Sequence, residues 1–513
     1  MIFTKPKDSR CMNRLRYISA LCLLSCGLAV SAQTYEKVFR NNFWNASDNV
    51  AGIRQDTVSV SFAELSARYV EGGFRDPSQA PEAWSAGAST SSIRHLEKVS
   101  LAGSFSFEQT EGYGMCGSMF ITPGSYPVDI FEFTPGRKTL QTYAFEGGIS
   151  YDIAPEWRIG AKMDFESANL AKRKDLRHVN WKLDMTVSPG FMYHSGDLAV
   201  GASALFRKVS ESVDPTQVGT AESSYYAFLD KGMMYGTYSV WTGSGLHLDE
   251  SGVNGFPVKD LSYGAAVQLE YRDVFAQVRY LRSSGRVGEK EYIWFRYRGN
   301  EVAADMGWRI NESVHGKHTL RIGAWWKGMT MDESVLEKVT ENGVTTVTDH
   351  GSNQILSRSQ WHISPEYELL HPLLEVRAGA DIDMTGSISS QVYPYVYSQS
   401  LFEASAYVDI EYHLGRFDWG CAGRYGGGKV SEKEELVSGN SGVQTVPFRL
   451  QEWYDMQLEY RTARRFHADI MVRYNFEGNI YLEADMTSVK AFGLKYLTGP
   501  DRFSAVLRLG YRF

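Results

Sequence analysis

The chain has 513 residues, of which 43% are hydrophobic, 22% charged and 13% aromatic. This apolar content excludes wholesale disorder, and the lack of any run of about 18 apolar residues after residue 32 excludes a bundle of membrane-spanning helices. The formal net charge is −7, and a mildly acidic chain gives no reason to expect a nucleic-acid partner.

The N-terminus has the layout of an export signal. Basic side chains precede the apolar stretch 17–30, and the small residues Ser31 and Ala32 follow it. This order of basic, apolar and small segments is typical of a secretory signal peptide. We therefore predict a cleaved signal peptide over residues 1–32 and export of the remaining chain.

Three of the five cysteines lie in this leader. One of them, Cys26, lies in the lipobox-like run 23–27, so a lipidated Cys26 is the alternative interpretation of the leader. The other two are Cys116 and Cys421, and a disulfide between them is an open alternative. Two cysteines in so long an exported chain are not a disulfide framework, and we expect no structural disulfide.

A short segment, 33–56, separates the leader from the first strand, and we place it in the periplasm. It has only 24 residues. This is too few for the folded plug domain of barrels whose active import of solutes is coupled to an energy source. A partial stopper remains an open alternative. Its candidates are the N-terminal stretch with Phe39, Phe43 and Trp44, or the loops 109–139 and 209–260, folded inward.

From about residue 57 onward, apolar and polar side chains alternate. Residues 143–153 place apolar side chains on one face and polar ones on the other, and 157–166 repeat the pattern after a turn. This alternation is typical of antiparallel strands with one apolar face. It recurs over 57–70, 84–94, 98–108, 198–206, 263–271, 274–280, 374–383, 402–412, 417–425, 454–460, 466–474, 480–486 and 491–497.

The connections between these segments alternate in length. Tight turns are followed by longer polar stretches near 109–139, 209–260, 283–301, 331–354 and 385–400. A membrane barrel sorts its connections in this way, with short turns in the periplasm and long loops outside. Aromatic residues such as Trp157 and Tyr271 lie beside the tight turns on the apolar face, which is typical of an interfacial girdle.

The chain ends on an alternating strand, 503–513, that finishes with an aromatic residue. Such an ending resembles the C-terminal recognition strand of outer-membrane barrels, which implies the barrel-assembly machinery as a partner during biogenesis. The predicted assembly signal consists of Phe503, Leu507, Leu509, Tyr511 and Phe513.

These patterns together predict an all-β fold. We expect a closed antiparallel transmembrane β-barrel over 57–513, embedded in the lipid of a Gram-negative outer membrane. It should contain about 20 strands, within a range of roughly 16 to 22. The leader, the barrel repeats and the run Ser61–Tyr69 (SFAELSARY) resemble an uncharacterised family of Gram-negative outer-membrane β-barrel proteins, a domain of unknown function. The resemblance implies the fold and the location, and it carries no substrate or site residues.

The polar face of the strands carries both signs of charge. A charge on the lipid face would cost a few kcal/mol at the midplane, so these side chains must face the lumen. A mixed lumen argues against strong ion selectivity, and fits either a water-filled channel or an interior cross-linked by salt bridges. The predicted lumen-lining residues are Arg158, Lys162, Asp164, Glu166, Arg377, Asp381, Asp383, Asp409, Glu411, Asp455, Glu459, Asp469 and Arg473.

No motif for catalysis, cofactor binding or metal binding stands out, and we expect no enzyme, cofactor or metal. The run Gly423–Val430 approaches a P-loop but lacks the Ser or Thr that should follow Lys429. The leading hypothesis is a passive channel or transporter for small solutes. The competing hypothesis is a non-conducting barrel that serves as a surface interaction or assembly module, and a barrel-embedded hydrolase ranks third.

Overall fold

A computed structural model describes residues 42–55, 58–216, 218, 225–233, 236–241, 255–313, 316–390, 396–435 and 448–513. The predicted signal peptide 1–32, with Cys26, and Phe39 lie outside the described residues. The strands are β1 (Val60–Gly72), β2 (Glu82–His95), β3 (Val99–Ser118), β4 (Asp129–Ala154), β5 (Trp157–Lys172), β6 (Arg177–Ser195), β7 (Leu198–Thr216), β8 (Tyr225–Asp230), β9 (Gly236–Trp241), β10 (Phe256–Tyr271), β11 (Val274–Glu289), β12 (Tyr292–Ser313), β13 (Gly316–Glu341), β14 (Val344–His371), β15 (Leu374–Ser389), β16 (Val396–Leu414), β17 (Phe417–Glu435), β18 (Arg464–Asn475), β19 (Ile480–Phe492) and β20 (Asp501–Arg512). A 3-10 helix covers Val50–Gln55, and the α-helix α1 covers Phe448–Thr462.

The strands close into one antiparallel barrel. The last strand, β20, pairs with the first, β1, from Phe62 opposite Arg512 to Gly72 opposite Arg502. Because β7 pairs directly with β10, the hairpin of β8 and β9 is not part of the wall, which the other 18 described strands form. A closed wall leaves no backbone edge to face hydrocarbon. The predicted all-β closed barrel of about 20 strands is therefore confirmed.

Side chains alternate between the two faces of the wall. On the outer face large apolar side chains stay exposed, including Phe206 at 55% and Ile470 at 60% of their surface. So wide an apolar belt is unfavourable in water, whereas membrane hydrocarbon covers it. Trp157 and Tyr193 lie together beside the turns, with ring centroids 4.9 Å apart, as the predicted aromatic girdle requires.

The connections differ between the two ends of the barrel. At the turn end, short turns join neighbouring strands, such as Pro155-Glu156 between β4 and β5 and Arg272-Asp273 between β10 and β11. At the loop end, most connections are longer and include β8, β9 and α1, whereas two-residue turns join β11 to β12 and β13 to β14. This sorting agrees with the predicted alternation of short turns and long loops.

Two of the predicted loops are strands instead. Residues 283–301 belong to β11 and β12, and 331–354 form the ends of β13 and β14. Tight turns join these pairs, where Lys290 and Asn342 take φ values of 53° and 52°, as two-residue hairpins require. Both faces of a strand become polar beyond the hydrocarbon, so the alternation fades although the backbone pairing continues.

The strand predicted over 454–460 is wrong, because these residues lie in α1 and β17 pairs directly with β18. Leu450, Trp453 and Met456 recur at helical spacing and pack together inside the molecule. A short apolar run fits both periods, and only tertiary packing decides between them. No helix in the described ranges has the length and apolar character to cross a membrane.

The predicted division of the C-terminal region is also wrong. Instead of separate strands over 480–486 and 491–497, the single strand β19 covers Ile480–Phe492, and a turn-rich connection precedes β20. The predicted strand 503–513 corresponds to β20. One strand fewer here and one fewer at α1 account for the difference from the expected count.

Candidate functional site

The N-terminal segment folds into the barrel. Residues 42–55, which we call the plug, lie against the inner wall of the turn-end half. Trp44 is fully buried, and Phe43 and Trp44 pack with Phe275 of β11. On the other side of the plug, Ile53 packs with Ile93 of β2. The plug therefore spans from the early strands to the middle strands of the wall.

Polar contacts hold the plug to the lumen wall. Trp44 Nε1 donates to Glu270 Oε2 over 2.5 Å, and Asn49 Nδ2 donates to the carbonyl oxygen of Phe191 over 2.9 Å. Asp48 pairs with Arg279, with an Oδ1 to Nη1 distance of 3.3 Å. Each contact satisfies a polar group that would otherwise be buried at a cost.

Phe43 lies close to two arginines of the wall. The guanidinium carbons of Arg309 and Arg321 are 4.6 and 4.7 Å from its ring centroid. Arg309 also pairs with Glu270, which accepts the Trp44 bond, over 2.8 Å. A cation over an aromatic face contributes about 0.5–2 kcal/mol, so this arrangement fixes the tip of the plug against β12 and β13.

Glycines in the wall make room for the plug. A Cβ at Gly307 would lie 2.2 Å from Phe43 Cε1, and one at Gly201 would lie 2.5 Å from Asn49 Nδ2. Gly148, Gly160 and Gly190 are equally close to plug atoms. Four of these glycines lie on the consecutive strands β4 to β7 and Gly307 lies on β12, and together they form a shallow groove that larger residues would fill.

The loop-end half of the lumen is filled by a second set of segments, which we call the roof: residues 119–128, strand β8 and helix α1. Phe120 and Ile130 pack with Phe256, Phe295 and Leu356 of the opposite wall, all at most 2% exposed. This apolar cluster reaches from β4 across to β14, so the roof crosses the lumen rather than lining one side.

Helix α1 anchors the roof on the remaining side. Trp453 packs against Phe131 and Phe133, with ring centroids 6.2 and 5.4 Å apart. At the other end of the helix, Glu459 accepts hydrogen bonds from the backbone N–H groups of Tyr496 and Leu497, over 2.7 and 2.6 Å. The helix thereby connects the β3–β4 region with the β19–β20 connection.

A large polar cavity lies beside the plug in the turn-end half of the lumen. Its volume is about 1790 Å³, and charged side chains of both signs line it. It reaches the turns at the rim, where Asp197, Asp273 and Pro372 border it. We call this cavity the chamber. Water and small polar solutes can occupy such a space, whereas the roof excludes them from the other half.

Most of the predicted lumen-lining residues form ion pairs on the inner face of the wall, and two of these pairs, Lys162–Asp164 and Arg377–Asp409, join predicted residues to each other. The pairs are Arg158–Asp152 at 3.0 Å, Lys162–Glu146 at 2.8 Å, Lys162–Asp164 at 3.4 Å, Lys182–Glu166 at 2.9 Å, Arg424–Asp381 at 3.0 Å, His362–Asp383 at 2.9 Å, Arg377–Asp409 and Arg473–Glu483.

The remaining predicted residues fall into two groups. Glu411 and Asp469 line the chamber. Asp455 and Glu459 belong to α1 and not to a wall strand. Sequence reasoning missed the polar plug residues Asp48 and Asn49, and the only signal for them was the set of glycines on the polar face of the wall.

The cysteines Cys116 and Cys421 are both free. Within the described ranges, one group of metal-ligating side chains converges, formed by the buried residues Glu411, His413 and Asp418. The sequence alone does not reveal this group, because its members come together only through the register of a hairpin.

The chain is similar to several solved structures, among them a copper transporter, a siderophore receptor and OccAB3. The copper transporter OprC is 8% identical, with 88% of this chain and 80% of that chain covered and a TM-score of 0.39. The siderophore receptor PiuA from Acinetobacter baumannii is 10% identical, with 89% and 82% covered and a TM-score of 0.40. OccAB3 from the same organism is 10% identical, with 89% and 99% covered and a TM-score of 0.33.

These scores are low, and the barrel is established by the strand pairing of this chain itself. No curated protein matches the sequence. The sequence model described as a family of unknown function (DUF6850) matches residues 50–513, and the chain therefore belongs to this family.

Proposed function

We propose that this protein is an outer-membrane transporter for small solutes whose pore is closed at rest by the roof and the plug. The observation that carries the proposal is the charged chamber of about 1790 Å³ inside a wall of 18 strands. Barrels of this size leave an aqueous lumen unless other segments fill it. Here the filling segments are separable from the wall.

The chain layout supports movable closures. The plug precedes β1, and the roof lies in connections between wall strands. The plug can change position without breaking a ladder of the barrel, and so can residues 119–128 and α1 of the roof, whereas movement of β8 breaks its short pairing with β4 over Asp129–Glu132. In this proposal the turn end faces the periplasm, so the chamber is open to that side and the roof faces the cell exterior, as is general for such barrels.

The contacts of the plug are of a kind that water can replace. Asp48 and Arg279 keep 21% and 29% of their side-chain surface exposed, so their ion pair contributes at most about 1 kcal/mol. The plug is therefore held by many weak polar contacts and a small apolar patch around Phe43 and Trp44. Such a segment can exchange between bound and released states.

A second candidate function is a non-conducting module for surface interactions. The apolar roof favours it, because Phe256 and Phe295 are fully buried and opening the roof would expose them. The long hairpin of β13 and β14 also extends beyond its neighbours, since none of the described strands pairs beside its last pairs, Leu336–Asp349 to Glu341–Val344.

A reversible disulfide between plug and wall separates the two functions. A Cβ at Gly148 would lie 3.6 Å from Val50 Cβ, within the range of about 3.5–4.5 Å that disulfides need. We therefore expect V50C/G148C, in a C116A/C421A background, to cross-link on oxidation. The measurements are planar-bilayer conductance and uptake of small solutes by liposomes, with V50C alone as the matched control.

The transporter proposal predicts openings and solute uptake in the reduced double variant and their loss on oxidation, while V50C conducts in both states. Silence of the reduced variant and of the wild-type chain across voltages and solutes would support the interaction module. Equal conductance in the oxidised and reduced states would exclude the plug as a closure.

A further inference from the structure

The hairpin of β16 and β17 presents three metal-ligating side chains to the lumen. Glu411 and His413 are two residues apart on β16 and share its inner face. The hairpin register places His413 opposite Asp418, and Glu411 opposite Gly420. The three side chains therefore meet because of strand alternation and one short turn, without any contribution from a flexible loop. We propose that Glu411, His413 and Asp418 bind a divalent metal ion at the turn-end rim.

The distances between the ligand atoms suit one ion. His413 Nδ1 lies 2.7 Å from Asp418 Oδ1 and 3.9 Å from Glu411 Oε1, and all three ligand atoms lie within 4.8 Å of one another. Ligand atoms at bond lengths of about 2.0–2.2 Å around one ion are separated by roughly 3 Å. The two distances fall on either side of this value, so small side-chain movements complete the geometry.

The neighbouring strands supply partners that orient the ligands. His413 Nε2 is 3.2 Å from Glu375 Oε1 on β15. Asn475 Nδ2, on β18, donates to Asp418 Oδ2 over 3.0 Å. A metal-bound histidine usually donates its other ring N–H to a carboxylate, which fixes its tautomer. Four consecutive wall strands thus hold the three ligands and their supports.

The surroundings of the site favour a cation. Three carboxylates, those of Glu375, Glu411 and Asp418, surround one imidazole. Arg473 Nη1 lies 4.0 Å from Asp418 Oδ2, and Arg473 also forms an ion pair with Glu483. The His413 and Asp418 side chains keep 2% and 3% of their surface exposed, so charge at this position is costly without a counter-charge.

The donor set indicates the class of ion. One imidazole nitrogen and two carboxylates, with no thiolate, suit a first-row divalent ion such as Zn²⁺ or Mn²⁺. Glu411 and Glu375 line the chamber, which gives an ion a route to the site. The alternative to a metal ion at His413 Nδ1 is a proton, because a protonated His413 would form ion pairs with the same carboxylates. The inference does not depend on whether the barrel conducts.

Isothermal titration of the purified, EDTA-treated full-length protein with ZnCl₂ and with MnCl₂ tests the site. We expect one ion to bind per chain, and H413A and D418N to abolish this binding. E375Q removes only the carboxylate that orients His413, and it should weaken metal binding roughly 10- to 100-fold. The matched control is H362A, because His362 and Asp383 form a lumen pair at 2.9 Å that is not part of the converging group.

Heat-modifiable migration of each variant establishes that its barrel is folded, and X-ray absorption of the zinc-loaded wild type reports a nitrogen ligand independently of any substitution. One-to-one binding that H362A retains and H413A and D418N lose supports the site. The proposal is overturned if the folded wild type binds neither ion at this stoichiometry. It is equally overturned if H413A binds as tightly as the wild type.

Discussion

At Gly307 the wall has no side chain where the plug needs room. A methyl group there would approach Phe43 Cε1 to 2.2 Å, so the ring must move from its position beside Arg309 and Arg321. Overpacking of this kind costs about 1–3 kcal/mol. We expect Gly307→Ala to speed hydrogen exchange in the plug about five- to a hundred-fold, at amides such as Gly52, whose N–H donates to the carbonyl oxygen of Asn49.

Gly386 provides the matched control for this substitution. It lies in β15, and a Cβ built there has nothing within 4 Å, so Gly386→Ala should leave exchange in the plug unchanged. Hydrogen exchange followed by mass spectrometry measures both variants. If Gly307→Ala left the plug as protected as in the wild type, the groove of glycines would have no role in holding it.

A buried charge cluster anchors the loop-end part of β4. Glu132 is fully buried, with Lys172 Nζ 2.5 Å from Oε2 and Lys138 Nζ 3.9 Å from Oε1. Burial lowers the pKa of Lys138 to about 8, and the position lies beyond the roughly ten residues with which a strand crosses hydrocarbon. Glu132→Gln leaves two buried ammonium groups without their carboxylate, and we expect a loss of about 3–5 kcal/mol in the free energy of unfolding.

The control is Glu166→Gln. Glu166 pairs with Lys182 at 2.9 Å but keeps 41% of its side chain exposed, so its loss should cost less than about 1 kcal/mol. Urea titration of the folded barrel in lipid vesicles measures both free energies. If both variants lost a similar free energy of unfolding, burial would not determine how much each ion pair contributes to stability.

At the scale of elements, the sequence predicts the wall and fails at the segments inside it. The alternation over 143–153 and 157–166 identifies β4 and β5 because lipid and lumen impose opposite polarity on successive side chains. Helix α1 carries no such signal, since tertiary contacts of Trp453 with Phe131 and Phe133 decide its conformation. The local sequence of this stretch is therefore also compatible with a β-strand.

The site depends on pairings between distant residues, which no local pattern encodes. Asp48 meets Arg279, and His413 meets Glu375. The cross-strand pair of His413 and Asp418 was the most accessible to prediction, because a tight turn at 414–417 fixes the register. The glycine positions were visible in the sequence, but their purpose required knowing that Phe43 and Asn49 lie against them.

At the scale of the whole molecule, the barrel exists only if its last strand closes it. Tyr511 pairs with Ala63, Arg512 pairs with Phe62, and Phe513 donates its N–H to the carbonyl oxygen of Ser61 over 3.0 Å. The predicted assembly signal lies on the outer face of this strand, with Leu507, Tyr511 and Phe513 exposed. The closing contacts and the predicted recognition face therefore belong to the same few residues.

Deleting residues 511–513 should therefore abolish assembly. The opposite backbone groups of β1 would remain unpaired at the membrane, and each would cost several kcal/mol. The control replaces residues 338–347 by Asn-Gly, which shortens the β13–β14 hairpin to a two-residue turn between Glu337 and Thr348, a directly opposed pair. Heat-modifiable migration and protease resistance in membranes measure both variants. We expect a folded barrel for the shortened hairpin and none for the truncation, and a truncated chain that assembled as well as the wild type would show that the β1–β20 seam does not control closure.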